Sequence, residues 1–221
     1  MKLAAQQAMD LKTILAVNLH ETKNLLGQLM LRLDGMNSAD VTVREARLLC
    51  QQVSDRMVQM LLLYEIQEER LQPQLEAHNP ADFLLELHEN AKAWASARVR
   101  VESADLGAPD YWYFDRALIE MALMNALHNA LRHAKSQIVL RTGMRGENLF
   151  FSVTDDGPGY SQEMLQAPRD QMSSVSRSGT GLGLYFSALI AAVHTHQGRQ
   201  GELVLQNCEQ SGGAEFMMLL P

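Results

Sequence analysis

"MNALHNALRHA", residues 124–134, sets Asn125 and Asn129 four residues apart in an otherwise apolar helical pattern. At that spacing the two carboxamides share one helix face, about 6 Å apart, and Arg132 and His133 complete the next turn. A carboxamide offers a neutral oxygen to a hard cation, and an arginine one turn on can meet the phosphates which that cation bridges. Alone the pair is weak evidence, because asparagine on a helix is commonly just solvated, so the flanking sequence has to decide.

Downstream, "FFSVTDDGPGY" (150–160) is an alternating strand that ends in Asp155 and turns at once through Gly157-Pro158-Gly159. A carboxylate at a strand end can accept a hydrogen bond from an exocyclic amine, and the glycines let the backbone approach a ring closely. An ordinary acidic turn would look the same in isolation. Further on, "SGTGLGLYFSALIAAV" (178–193) opens a helix with Gly179, Thr180, Gly181, Leu182 and Gly183. Glycine-rich backbone at a helix N-terminus offers free N–H groups and a positive dipole end to phosphate. A dinucleotide fingerprint is excluded because "QMSSVSRS" (171–178), not a buried strand, precedes the loop; a P-loop is excluded because no Gly-Lys-Ser/Thr follows.

In this order, "MNALHNALRHA", "DDGPG" and "GTGLGL", followed by the terminal "GGAEFMMLLP" (212–221), resemble the N, G1 and G2 boxes and the last strand of the ATP-binding domain of sensor histidine kinases. That domain has the gyrase, Hsp90, kinase and MutL (GHKL) ATPase fold, an α/β sandwich, and the likeness covers about residues 80–221. It implies ATP and Mg²⁺ as cofactors, with Asn129 as the metal ligand and Asn125 lining the phosphate end. Arg132 and His133 would stand beside them. Asp155 would take the adenine amine, Gly157 and Gly159 would flank the base, and Gly179, Gly181 and Gly183 would edge the phosphates beneath a lid formed by 160–178. ATP-hydrolysing relatives usually have glutamate at the place of Asn125; asparagine cannot accept a proton from water, so slow intrinsic hydrolysis is expected.

The N-terminal third fits the same family. From Leu11 to Leu33 the steps Leu15, Leu19, Thr22, Leu26, Leu29, Leu33 are heptad-like, "DGMNSAD" (34–40) breaks the pattern, and Leu49, Val53, Met57, Met60 and Tyr64 form a second stripe. Two helices of ~45 Å joined by a short turn make an antiparallel hairpin, which buries its remaining apolar surface by pairing into a four-helix bundle in a homodimer. Within it, "HETKN" (20–24) resembles the H-box of these kinases, and His20 and Asn24 fall off the leucine seam. Imidazole is nucleophilic and partly neutral near pH 7, so His20 is the expected phosphoryl acceptor, with adjacent Glu21 accepting its proton. Asn24 would orient a water against a phosphorylated aspartate on a partner. Leu25 stands where many H-boxes have proline, and 160–178 has no phenylalanine where the family often has one.

The expected architecture is α+β: residues 1–75 a dimerisation and histidine-phosphotransfer hairpin, residues 76–221 the ATP-binding catalytic domain. The reading assigns that domain helices at 80–96, 115–134 and 181–196 and strands at 98–103, 111–114, 136–142, 148–154, 202–207 and 214–220. The strands should form a mostly antiparallel sheet with helices on one face. The expected function is autophosphorylation of His20 from MgATP and transfer to an aspartate of a response regulator, with a signal supplied by another protein or by the N-terminal stretch. The alternative is a pseudo-kinase whose helical dimer is a docking module; an anti-sigma type serine kinase would need no histidine-bearing hairpin.

The remaining composition narrows the partners. The 221 residues carry a formal charge of −7 and no cluster of Lys or Arg, which argues against nucleic acid. No run of ~20 apolar residues suggests membrane insertion, and a cytoplasmic location is the default expectation. Cys50 and Cys208 are too few and too scattered for a disulfide framework or a thiolate metal site. His194 and His196, read as lying on the last helix, point away from each other and form no metal pair.

Overall fold

Asn79 precedes Pro80, and in the computed structural model that pair starts a helix. The Asn79 side chain accepts hydrogen bonds from the backbone N–H groups of Ala81 (2.9 Å) and Asp82 (3.0 Å), and a proline in the first turn forfeits no helical bond. Thirty-six residues later Asp115 does the same, accepting from the N–H of Leu118 at 3.1 Å and from the N–H of Gln74 at 2.8 Å. The structure describes residues 71–95, 98–166, 182–208 and 212–221, together with Thr22, Asn24, 26–29, Leu31, Leu33, Ala46, Cys50, Val53, Ser54, Met57, Val58 and Met60. The chain divides into two units, Met1–Leu71 and Gln72–Pro221.

In the first unit every described residue from Thr22 to Met60 is helical. Cys50 and Met57 are buried, whereas Leu29, Leu31, Val53 and Met60 are exposed. His20, Glu21, Leu15, Leu19 and Tyr64 lie outside the described residues, and with them the pairing of the two expected helices.

The second unit runs β1 (Glu76–His78), α1 (Pro80–Trp94), β2 (Arg100–Leu106), β3 (Trp112–Phe114), α2 (Arg116–His133), β4 (Gln137–Arg145), β5 (Asn148–Asp155), α3 (Gln162–Gln166), α4 (Leu182–Val193), β6 (Thr195–His196), β7 (Arg199–Gln200), β8 (Glu202–Asn207) and β9 (Ala214–Leu220). Five strands form one mixed sheet in the order β2-β4-β5-β9-β8. Only the β2–β4 pair is parallel, because the chain returns from β2 through β3 and the whole of α2 before it re-enters the sheet. The fold is thus α+β with a mixed sheet, as in GHKL histidine kinase catalytic domains.

One face of the sheet makes the core. Leu140, Val153, Phe216 and Leu205 follow one another across the strands in register, and Phe151 and Met218 stand beside them. Phe151 meets Phe83 of α1 edge-on, with ring centroids 5.3 Å apart, and Phe114 at 5.7 Å. All three rings are at most 1% exposed, and burial of each such side chain is worth ~2–3 kcal/mol. α2 packs on β5 and α4 on β8 and β9, with α2 and α4 against each other. Asp155 stands opposite Ile138 across the β4–β5 pair, at the end of this helix-covered face.

Three readings of the sequence change. "YWYF" does not join the main sheet: β3 pairs antiparallel with β1 in a separate ribbon. The last helix ends at Val193 rather than near 196, so His194 follows it and Thr195 and His196 form the first strand of a small hairpin whose turn is Gln197-Gly198, both with positive φ (49° and 78°). The stretch after the Gly-Pro-Gly turn contains the short helix α3.

Candidate nucleotide-binding site

α2 is the spine of the site. Its buried stripe, Leu118, Ile119, Ala122, Leu123, Ala126, Leu127 and Ala130, faces the core, and the 3.6-residue period then turns Asn125, Asn129 and Arg132 away from it. Asn129, Arg132 and His133 are exposed, and Asn125 is half-buried. The cause of that burial is Gly183 near the start of α4: a Cβ built there would lie 2.4 Å from Asn125 Nδ2 and 2.6 Å from Oδ1. Only glycine allows the approach. Asn125 Nδ2 is buried and, among the described residues, has no hydrogen-bond partner beside Gly183.

The C-terminal end of α2 meets the acidic turn. A Cβ on Gly157 would sit 2.6 Å from the carbonyl oxygen of His133 and 2.7 Å from Asp155 Oδ1, so the turn can lie against the end of the helix only as glycine. Asp155 is 8% exposed, and Oδ1 accepts the Gly157 N–H at 2.7 Å. Burial raises its pKa, opposed by the N–H groups of Gly157 and Ala214 and by the nearby charge of His133. The site therefore holds a carboxylate that lacks much of its water and gains from a new donor.

Neighbouring Asp156 has the opposite fate. Burial would raise its pKa as well, but the Ser136 hydroxyl and the N–H groups of Ser136, Gln137 and Lys135 outweigh it and hold the carboxyl well below the usual carboxylate range. Its Oδ1 accepts from Lys135 N (2.8 Å), and its Oδ2 accepts from Ser136 Oγ (2.6 Å), tying the end of β5 to the α2–β4 connection. Asp156 is a brace and Asp155 an open acceptor, a division that "DD" does not reveal by itself.

Gly159 has φ +76°, and its would-be Cβ falls 2.5 Å from the carbonyl oxygen of Gly212. Sequence reasoning missed the residue beside it. Asn207, the last of β8, accepts the Tyr160 N–H on Oδ1 at 2.7 Å and donates from Nδ2 to the Tyr160 carbonyl at 2.9 Å. The only signal was an asparagine at a strand end before a Gly-Gly turn.

The structure thus brings Asn125 to Gly183, and Asp155 and Gly157 to His133, at points about 12 Å apart along one helix at 1.5 Å per residue. Asn129 and Arg132 lie on its open side. Leu182 is the first residue of α4; Gly179, Thr180 and Gly181 lie outside the described residues. Asn24 is helical and exposed in the other unit.

Residues 114–221 match the family model described as histidine kinase-, DNA gyrase B- and HSP90-like ATPase. Among solved structures, full-length ShkA in complex with AMPPNP has the same fold over 95% of this chain and 45% of its own, with TM-score 0.64 and 19% identity. Acinetobacter baumannii histidine kinase AdeS follows over 90% of this chain and 95% of its own, with TM-score 0.56 and 19% identity. The sensor protein RstB of Escherichia coli is 29% identical over 221 residues, 91% of this chain and 47% of that protein. The signal transduction histidine-protein kinase AfsQ2 of Streptomyces coelicolor is 29% identical over 136 residues, 58% of this chain and 24% of that one. The chain spans less than half the length of either relative.

The residues present fit a nucleotide of the kind that such ATPases bind. Asn125 Nδ2 suits a phosphate oxygen, buried Asp155 suits an amine, and Gly157 and Gly183 keep clear the space that side chains would fill.

Proposed function

We propose that the protein is a two-component histidine kinase that phosphorylates His20 from MgATP and passes the phosphoryl group to an aspartate of a response regulator. One observation carries the reading: a carboxamide donor on Asn125, buried and without a partner among the described residues, stands at the middle of one helix, and a buried carboxylate, Asp155, stands by its C-terminal end, each beside a glycine that admits no side chain. An adenine amine at Asp155 and phosphates at Asn125 and Gly183 would use both. Asn129 would hold Mg²⁺ through its neutral oxygen, with phosphate oxygens and water completing the shell that this ion prefers.

The bound nucleotide would supply the γ-phosphoryl group, and the metal would neutralise its charge. One ring nitrogen of His20 attacks the γ-phosphorus while the bond from that phosphorus to the ADP oxygen breaks, and the proton on the other nitrogen passes to Glu21. Asn125 cannot take a proton from water, which keeps the nucleotide for transfer. Asn24, exposed on its helix one turn beyond His20, would orient a water when the regulator is dephosphorylated. The helical unit would pair with a second copy, and its exposed Leu29, Val53 and Met60 support that pairing.

The test is incubation of the full chain with γ-labelled ATP and Mg²⁺, wild type against His20→Gln. Acid-labile, base-stable label that is present in the wild type and absent in the variant is expected. Label that survives the substitution overturns His20 as acceptor, and no label in either moves the docking-module reading ahead.

A further inference from the structure

The tip of the β8–β9 hairpin is far from the nucleotide motifs in sequence, yet it grips the turn that follows Asp155. Asn207 bonds both the N–H and the carbonyl of Tyr160, 47 residues away, at 2.7 and 2.9 Å. The loop that positions it is closed by its own backbone, with Cys208 N donating to Gly213 O and Gly212 N donating to Cys208 O, both at 2.8 Å. Its glycines complete the grip: a Cβ on Gly213 would fall 1.9 Å from the carbonyl oxygen of Asp155, and one on Gly159 would meet Gly212 O and, at 2.8 Å, Asn207 Oδ1.

We propose that Asn207 is a positioning residue for base recognition: its carboxamide fixes Tyr160 and so the Asp155–Gly159 turn. A carboxamide suits the place because one oxygen and one nitrogen satisfy a backbone N–H and a backbone carbonyl together. Aspartate would keep the acceptor and lose the donor, setting a carboxylate oxygen against a carbonyl oxygen. The inference rests on the nucleotide-binding reading above, and deepens it by making the hairpin tip part of the adenine site.

The test titrates the full chain with ADP and with GDP in Mg²⁺, comparing wild type, Asn207→Ala and Asn207→Asp well below each melting temperature. Loss of a bidentate clamp should weaken ADP binding by about tenfold and narrow the ADP-over-GDP preference, with Asn207→Asp lying between the other two. A merely structural role would lower the melting temperature and leave that preference as it was. An ADP affinity and preference within twofold of wild type in both variants overturns the clamp while leaving the nucleotide site standing. A wild type that binds no adenine nucleotide overturns both. Should Asn207→Ala fail to fold, Asn207→Asp decides by the same criterion.

Discussion

The division of labour between Asp155 and Asp156 comes down to where each carboxylate finds its donors. Asp156 is saturated by the α2–β4 connection, whereas Asp155 is buried and keeps capacity for one more bond. Gly157 makes that arrangement possible, and Gly157→Ala would drive a methyl group into His133 O and Asp155 Oδ1, neither of which can retreat without moving the helix end or the strand end. The expected cost is roughly 1–3 kcal/mol in stability, together with loss of nucleotide binding, read by thermal melts with and without ADP. The motifs that carry Asn125, Asp155 and the glycines stand out in the sequence because their order along the chain is itself the signal, and the roles given to them are the reading proposed above. Asn207 was not, because its partner lies 47 residues away and no local pattern marks it.

Among the elements, α4 and α2 are joined by a histidine as well as by apolar packing. His194, just past the end of α4 and 2% exposed, meets Ile190 O through Nδ1 at 2.7 Å and takes the Asp115 N–H on Nε2 at 3.0 Å. Both bonds require the neutral ring with its proton on Nδ1. Burial lowers its pKa, opposed by the Ile190 carbonyl and the Asp115 charge. A histidine whose folded pKa lies below the unfolded value of ~6.5 leaves stability intact above that pH, and stability is lost as the pH falls below it. The melting temperature should therefore fall more steeply between pH 7 and pH 5 in the wild type than in His194→Gln, measured by calorimetry across that range. Helices α1, α2 and α4 and the β4–β5 hairpin were legible because caps, period and turn residues are local. β3 was legible as a strand, but β1, its pairing with β3, the short α3 and the β6–β7 hairpin were not, since segments of two to five residues carry no measurable period. The expected mostly antiparallel sheet is found, and the one parallel pair in it, β2 with β4, follows from chain path and carries no local signal.

For the whole molecule, the helical N-terminal unit leaves Leu29 at 44%, Leu31 at 72%, Val53 at 46% and Met60 at 49% exposure in the single chain, more apolar surface than two short solvated segments would ordinarily show. A homodimer would bury it. Sedimentation equilibrium of the full chain is expected to give a dimer that Leu29→Glu combined with Met60→Glu shifts to monomer by at least tenfold in dissociation constant, with ADP binding unchanged. Recognition of an adenine base through Asp155 is what the second unit should perform. It is tested most directly by titrating the full chain with ATP and with GTP in Mg²⁺, wild type against Asp155→Asn. Loss of a hydrogen bond to a charged acceptor should weaken ATP binding by roughly tenfold to a hundredfold and remove the preference over GTP. Equal affinity of the wild type for both nucleotides, or an Asp155→Asn variant that binds ATP as the wild type does, would contradict it.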